Sequence, residues 1–104
     1  MDKIYKFSIG LYDKDSHVQE VNTEEAIRIV SAVCLECGAY GLSLTQGLGI
    51  YTHEDGSRVF EPSLFVEIFG ISQEQADSMV QGFKASLNQE SVMIESRLTS
   101  VNFK

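Results

Sequence analysis

Cys34-Leu35-Glu36-Cys37 has the spacing of a redox pair or of half a zinc site. A redox pair needs its attacking thiol at a helix N-terminus, where the dipole lowers the thiol pKa, whereas the apolar period here puts both cysteines at a helix C-terminal end. Zinc needs four ligands, and neither His17 nor His53 stands at finger-like spacing from the pair. Both cysteines are expected to be buried and structural, with no metal or cofactor. His17 closes Asp13-Lys14-Asp15-Ser16-His17, a solvated turn with no nucleophile motif beside it. Gly47-Leu48-Gly49 resembles half a dinucleotide fingerprint but opens no helix after a strand, so bulge geometry is expected there. The remaining chemistry lies with Glu61, Glu67 and Glu95, answered by Arg97. Two carboxylates in a desolvated site can act as acid and base; facing water they keep a sheet soluble.

These residues need a scaffold, and the chain spells one out. Tyr5, Phe7, Ile9 and Leu11 alternate with Lys6, Ser8, Gly10 and Tyr12, the period of a half-buried strand over Lys3 to Asp13. Asn22 with Glu25 fits a helix N-cap, Ala26, Ile27, Val30, Val33, Cys34 and Cys37 follow at helical spacing, and Gly38 fits the C′ position. Leu42–His53 and Arg58–Phe69 flank Glu54-Asp55-Gly56-Ser57, a hairpin signal. Ser72 with Gln75 caps a second helix, apolar at Ala76, Met79, Val80, Phe83 and Leu87, and a last strand begins near Ser91. The order βαββαβ predicts an α+β, ferredoxin-like domain over residues 1–104: a four-stranded antiparallel sheet in spatial order 4-1-3-2 with both helices on one face.

Strand three is central in that order, yet it holds the chain's only proline, Pro62, which donates no ladder hydrogen bond. Parity adds a constraint. A plain Asp55-Gly56 turn sets Leu44 opposite Glu67, mixing core and open faces, whereas one extra residue sets Leu44 opposite Val66. A three-residue loop with a bulge at Gly56, or a bulge at Pro62 opposite Leu48-Gly49, supplies that residue. The Pro62 bulge is favoured because it also accounts for the proline.

With Phe7, Ile9, Leu11, Leu42, Leu44, Val66, Ile68, Val92 and Ile94 under the helices, the open face carries Ser8, Tyr12, Thr45, Tyr51, Phe65, Glu67, Met93, Glu95 and Arg97. A patch holding Tyr12, Tyr51, Phe65 and Met93 calls for a cover: a second copy packed sheet to sheet, a higher oligomer, or a ligand. Lys6, Arg58 and Arg97 are the cations near this face. Fifteen acidic against eight basic residues give a net charge of −7, and without a basic stripe direct nucleic-acid binding is not expected. The acidity also suits an inhibitor that mimics nucleic acid in a basic channel. No apolar run approaches the roughly 18 residues of a membrane helix, and the first residues hold no signal-like apolar region, so a cytoplasmic location is expected.

"VFEPSLFVEI" and "FKASLNQESVMIES" resemble the two signatures of a family of small uncharacterised bacterial and phage proteins, a domain of unknown function. In that family Glu-Pro-Ser leads a strand, here Glu61-Pro62-Ser63, and Gln-(Glu/Gln)-Ser-Val opens the last strand, here Gln89-Glu90-Ser91-Val92. Gly10-Leu11 and Gly41-Leu42 resemble further family positions, while a glycine-tryptophan pair of strand two is replaced by Gly49-Ile50-Tyr51. The resemblance implies a ferredoxin-like fold and carries no activity. It places Glu61 and Ser63 in one pattern, and a bulge there would turn them toward a pocket also lined by Tyr51, Gln89, Glu90 and Ser91. The expected ligand set is therefore Tyr12, Thr45, Tyr51, Glu61, Ser63, Gln89, Ser91 and Arg97. The leading expectation is a non-enzymatic, homo-oligomeric binding protein for a small nucleotide-like ligand, in a phage setting a counter-defence sponge for an immune signal. The alternatives are the acidic inhibitor and a small dimeric enzyme using open-face carboxylates.

Overall fold

The computed structural model describes residues 2–52 and 55–104; the side chain of Tyr51 lies outside the described set, as do His53 and Glu54 with the first half of the hairpin turn. The elements run β1 (Asp2–Gly10), α1 (Thr23–Glu36), β2 (Ser43–Thr52), β3 (Arg58–Phe69), α2 (Gln73–Leu87) and β4 (Met93–Thr99). The antiparallel sheet has the order β2-β3-β1-β4, as expected for the ferredoxin-like fold.

Local chemistry sets the helix limits. Asn22 accepts from the Glu25 N–H at 2.9 Å, and Ser72 and Gln75 form a reciprocal capping box. Helix α1 ends at Cys37, followed by Gly38 at φ +96°, where a side chain would be strained. Helix α2 ends on Asn88 in the left-handed region (φ 48°, ψ 55°), a conformation asparagine tolerates better than most residues.

The core lies between the helices and one sheet face. Tyr5, Phe7, Ile9, Leu64, Val66 and Ile68 meet Ala26, Val30 and Cys34 of α1 and Ala76, Met79 and Phe83 of α2. The Phe7 and Phe83 rings pack edge to face at 5.5 Å. Leu42, Leu44 and Val92 pack at the core's margin, whereas Ile94 on edge strand β4 keeps 36% of its surface exposed and lies outside the core cluster. Burial pushes the Cys34 thiol up to about 12, so it remains a protonated core side chain; Cys37 is half-buried.

Leu44 faces Val66, the register parity requires, but the Pro62 bulge does not exist. The β2–β3 ladder is unbroken from Ser43↔Glu67 to Thr52↔Arg58, with Pro62 directly opposite Leu48, and the extra residue lies in the connection 53–57. The proline is tolerated for a different reason. Backbone N and C=O of one strand residue point to the same side, and the Pro62 carbonyl accepts from the Leu11 N–H at 2.9 Å, so its nitrogen also faces β1. The reciprocal bond to Leu11 cannot form, the β1–β3 ladder stops at Gly10↔Ser63, and β1 ends at Gly10, short of the expected Asp13. Arg58–Glu61 then pair with β2 alone, which makes the end of the hairpin an arm beyond the sheet.

Candidate functional site

Where β1 leaves the sheet, a side chain replaces the lost backbone partner. The Tyr12 N–H donates to Glu61 Oε2 at 2.8 Å, and the Tyr12 carbonyl accepts from Gln89 Nε2 at 2.8 Å. One peptide group on each side of Tyr12 is thus held by the two signature segments. Glu61, Ser63 and Gln89 are the buried polar residues among those described. Ser63 Oγ donates to the Glu61 carbonyl at 3.0 Å, and Gln89 Nε2 is also within 3.3 Å of the Leu87 carbonyl. Such satisfied networks fix geometry because leaving any member unpaired is costly.

The carboxylate of Glu61 lies over Gly10: a Cβ there would stand 2.4 Å from Glu61 Cδ. Gly10→Ala is therefore expected to push the carboxylate aside and break its bond to the Tyr12 N–H, costing about 1–3 kcal/mol. A loss of the Tyr12 amide's protection from hydrogen exchange would register it. Gly47 and Gly49 act similarly, in place of the expected bulge: a Cβ at Gly47 would meet Phe65 Cε2 at 2.6 Å and one at Gly49 would meet Ser63 Oγ at 3.0 Å. The glycines make room for cross-strand neighbours on the open face.

The turn after β1 is pinned to the end of α2. Asn88 Nδ2 donates to Asp13 Oδ1 and to Asp15 Oδ2, both at 2.8 Å, and the Lys14 N–H donates to the Asn88 carbonyl at 3.0 Å. Asp13 Oδ2 accepts from the N–H groups of Asp15 (2.9 Å) and Ser16 (3.1 Å), and His17 closes the turn at φ 63°. The Asn88 hydrogen bond, then those from Ser16 and Asp15, holds the Asp13 carboxyl below its ordinary 3.8. With the folded pKa depressed, the contribution of this group is fully present above 3.8 and is lost as pH falls through the lower folded value. An acid titration followed by the Asp15 and Ser16 backbone amide signals should show the turn releasing in that range, and Asn88→Ala should move the transition to higher pH.

These groups surround a concavity of about 940 Å³ at the arm end of the open face. Of the expected ligand set, Tyr12, Glu61, Ser63, Gln89 and Ser91 line it. Thr45 lies opposite Phe65 but outside the concavity, Arg97 sits 3.8 Å from Glu67 further along the sheet, and the side chain of Tyr51 is outside the described residues. Glu95 faces Lys6 at 3.9 Å, so of the three open-face carboxylates only Glu61 belongs to the site. Phe65 and Met93 give it an apolar floor. The residues missed from sequence are Gly10, Asp13, Lys14 and His17; their signal was topological, since the β1–α1 and α2–β4 turns lie at the same sheet end as the start of β3.

No protein-family model and no curated protein matches the chain. Solved structures do. A phage SAM lyase in complex with S-methyl-5'-thioadenosine is 24% identical with a TM-score of 0.67, over 92% of this chain and 80% of that one. CutA from Synechococcus elongatus is 16% identical with a TM-score of 0.61, over 96% and 78%. GlnK of B. subtilis in complex with ATP is 13% identical with a TM-score of 0.59, over 96% and 88%. What this chain shares with all three is the ferredoxin-like α+β fold across nearly its whole length.

Proposed function

We propose that this protein binds S-adenosylmethionine in the Glu61 concavity and cleaves it, releasing S-methyl-5'-thioadenosine. The observation that carries the reading is a buried carboxylate, fixed by the Tyr12 N–H, beside an apolar floor at the mouth of a cavity of about 940 Å³. A sulfonium nucleoside asks for those two features: an anion to attract the cation and a flat apolar surface for the base. The likeness to the phage SAM lyase holding S-methyl-5'-thioadenosine supports this choice among adenosyl ligands. Cleavage of the bond between the sulfonium sulfur and its aminobutyrate γ-carbon places the bond pair on sulfur, while an oxygen of the same tail's α-carboxylate forms the new bond to that carbon and closes a five-membered lactone as the second product. A neutral thioether leaves, so no acid is needed at the leaving atom. The demand on the protein is positioning in a site of low polarity.

The working form is a homo-oligomer. Leu48, Ile50 and Phe60 are each more than half exposed and lie with Pro62 on one face of the arm. Ile50 and Phe60 also line the concavity, so a second copy seated on the arm would cover the apolar face and wall off the site together. Removal of a host adenosyl metabolite fits the counter-defence setting expected from the sequence, by destruction instead of sequestration.

Isothermal titration with S-methyl-5'-thioadenosine tests the binding step. The reading expects saturable binding with amide shifts in Tyr12, Gln89 and Ser91 by NMR. Absence of binding, or shifts confined to the Arg97 end of the sheet, would contradict it.

A further inference from the structure

The concavity holds two cations, Lys14 and Arg58, beside the carboxylates of Asp13, Glu61 and Glu90, and a neutral nucleoside would leave both cations unused. Of the eight basic residues, Lys6, Arg28 and Arg97 have a carboxylate partner among the described residues and the other five have none, and of those five only Lys14 and Arg58 line the concavity. Lys14 and Arg58 line the concavity and have no carboxylate within ion-pair distance among the described residues. For Lys14 the structure shows why. Its sequence neighbours Asp13 and Asp15 both turn their carboxylates to the Asn88 side-chain amide, while the Lys14 N–H is tied to the Asn88 carbonyl. Asn88 thereby fixes the lysine's backbone at the rim and diverts the two acids best placed to neutralise it. Arg58 enters from the arm, as the first residue of β3.

We infer that Lys14 and Arg58 recognise the α-carboxylate of the ligand's amino-acid tail. The inference rests on the adenosyl reading and deepens it: the site selects an adenosyl ligand that still bears its amino acid over the truncated thioadenosine. Glu61 then meets the cationic part of the same tail, so the two signs of charge in the concavity match a zwitterion. Charge-assisted hydrogen bonds from Lys or Arg to a carboxylate are the strong class of polar contact, and the pairing keeps the product from competing well with the substrate.

Titration calorimetry with S-adenosylhomocysteine and with S-methyl-5'-thioadenosine decides the matter, since the two share the thioadenosine unit and only the first has a carboxylate. The unsubstituted protein is expected to prefer S-adenosylhomocysteine by roughly tenfold or more, and Lys14→Met and Arg58→Met each to cut that preference several-fold while thioadenosine binding holds within about twofold. Lys14→Arg should keep the preference. Equal loss of both ligands in the Met variants, an unchanged ratio, or no preference in the unsubstituted protein overturns the carboxylate assignment and leaves the adenosyl reading standing. Failure of both ligands to bind the unsubstituted protein overturns both.

Discussion

Glu61→Gln is expected to lower S-adenosylmethionine turnover by about a hundredfold, the equivalent of roughly 2.7 kcal/mol. The melting temperature should stay within about 2 °C, because the glutamine carbonyl can still accept from the Tyr12 N–H and fills the same space over Gly10. The substitution removes the charge and turns one acceptor oxygen into a donor while keeping the shape. Glu61→Ala supplies the contrast: it loses the charge and also leaves the Tyr12 N–H without its side-chain acceptor, so it should turn over S-adenosylmethionine as slowly as the glutamine variant and in addition lose about 1–3 kcal/mol of stability. If both variants turn over S-adenosylmethionine like the unsubstituted protein, the carboxylate has only an architectural role.

Phe83→Ala is the largest stability effect the structure predicts. Phe83 and Phe7 are both fully buried, and their edge-to-face contact joins α2 to the centre of the sheet. Truncating a buried phenylalanine costs about 3–5 kcal/mol, which for a domain of this size lowers the melting temperature by on the order of 20 °C. Thermal unfolding by circular dichroism measures it. A fall of less than about 5 °C would mean that the helices collapse onto the cavity, and that the Phe7–Phe83 layer does not organise the fold as described.

The fold was legible because each level of the sequence agrees with the next. Alternation in β1, the Asn22 and Ser72 caps, the glycine after α1 and the Asp-Gly signal all point to the same six elements. The parity of Leu44 against Val66 then sets the sheet faces. The account of Pro62 was not legible in the same way. Parity requires an extra residue in the hairpin without saying where, and the proline is admitted because its nitrogen faces β1 and not β2, a fact of ladder phase that the residue types do not carry. That distinction matters for the site: the β1–β3 ladder ends beside Pro62, and just beyond that end the Tyr12 N–H donates to the Glu61 carboxylate.

The candidate site was legible in part for a related reason. Glu61, Ser63, Gln89 and Ser91 stand in the two signature segments, and the topology brings those segments together. Thr45 and Arg97 share the open face but not the concavity, since alternation gives the face of a residue and not its position along the sheet. Lys14 was hidden in a turn whose charges look solvated in sequence. Only the capture of Asp13 and Asp15 by Asn88, far along the chain, distinguishes it from an ordinary exposed lysine.

The most direct test is to incubate the purified protein with S-adenosylmethionine and quantify the nucleoside products by liquid chromatography. Release of S-methyl-5'-thioadenosine well above the spontaneous rate, and its disappearance in Glu61→Gln, is the predicted result. Intact S-adenosylmethionine after prolonged incubation at high protein concentration would contradict a cleaving role for the Glu61 concavity.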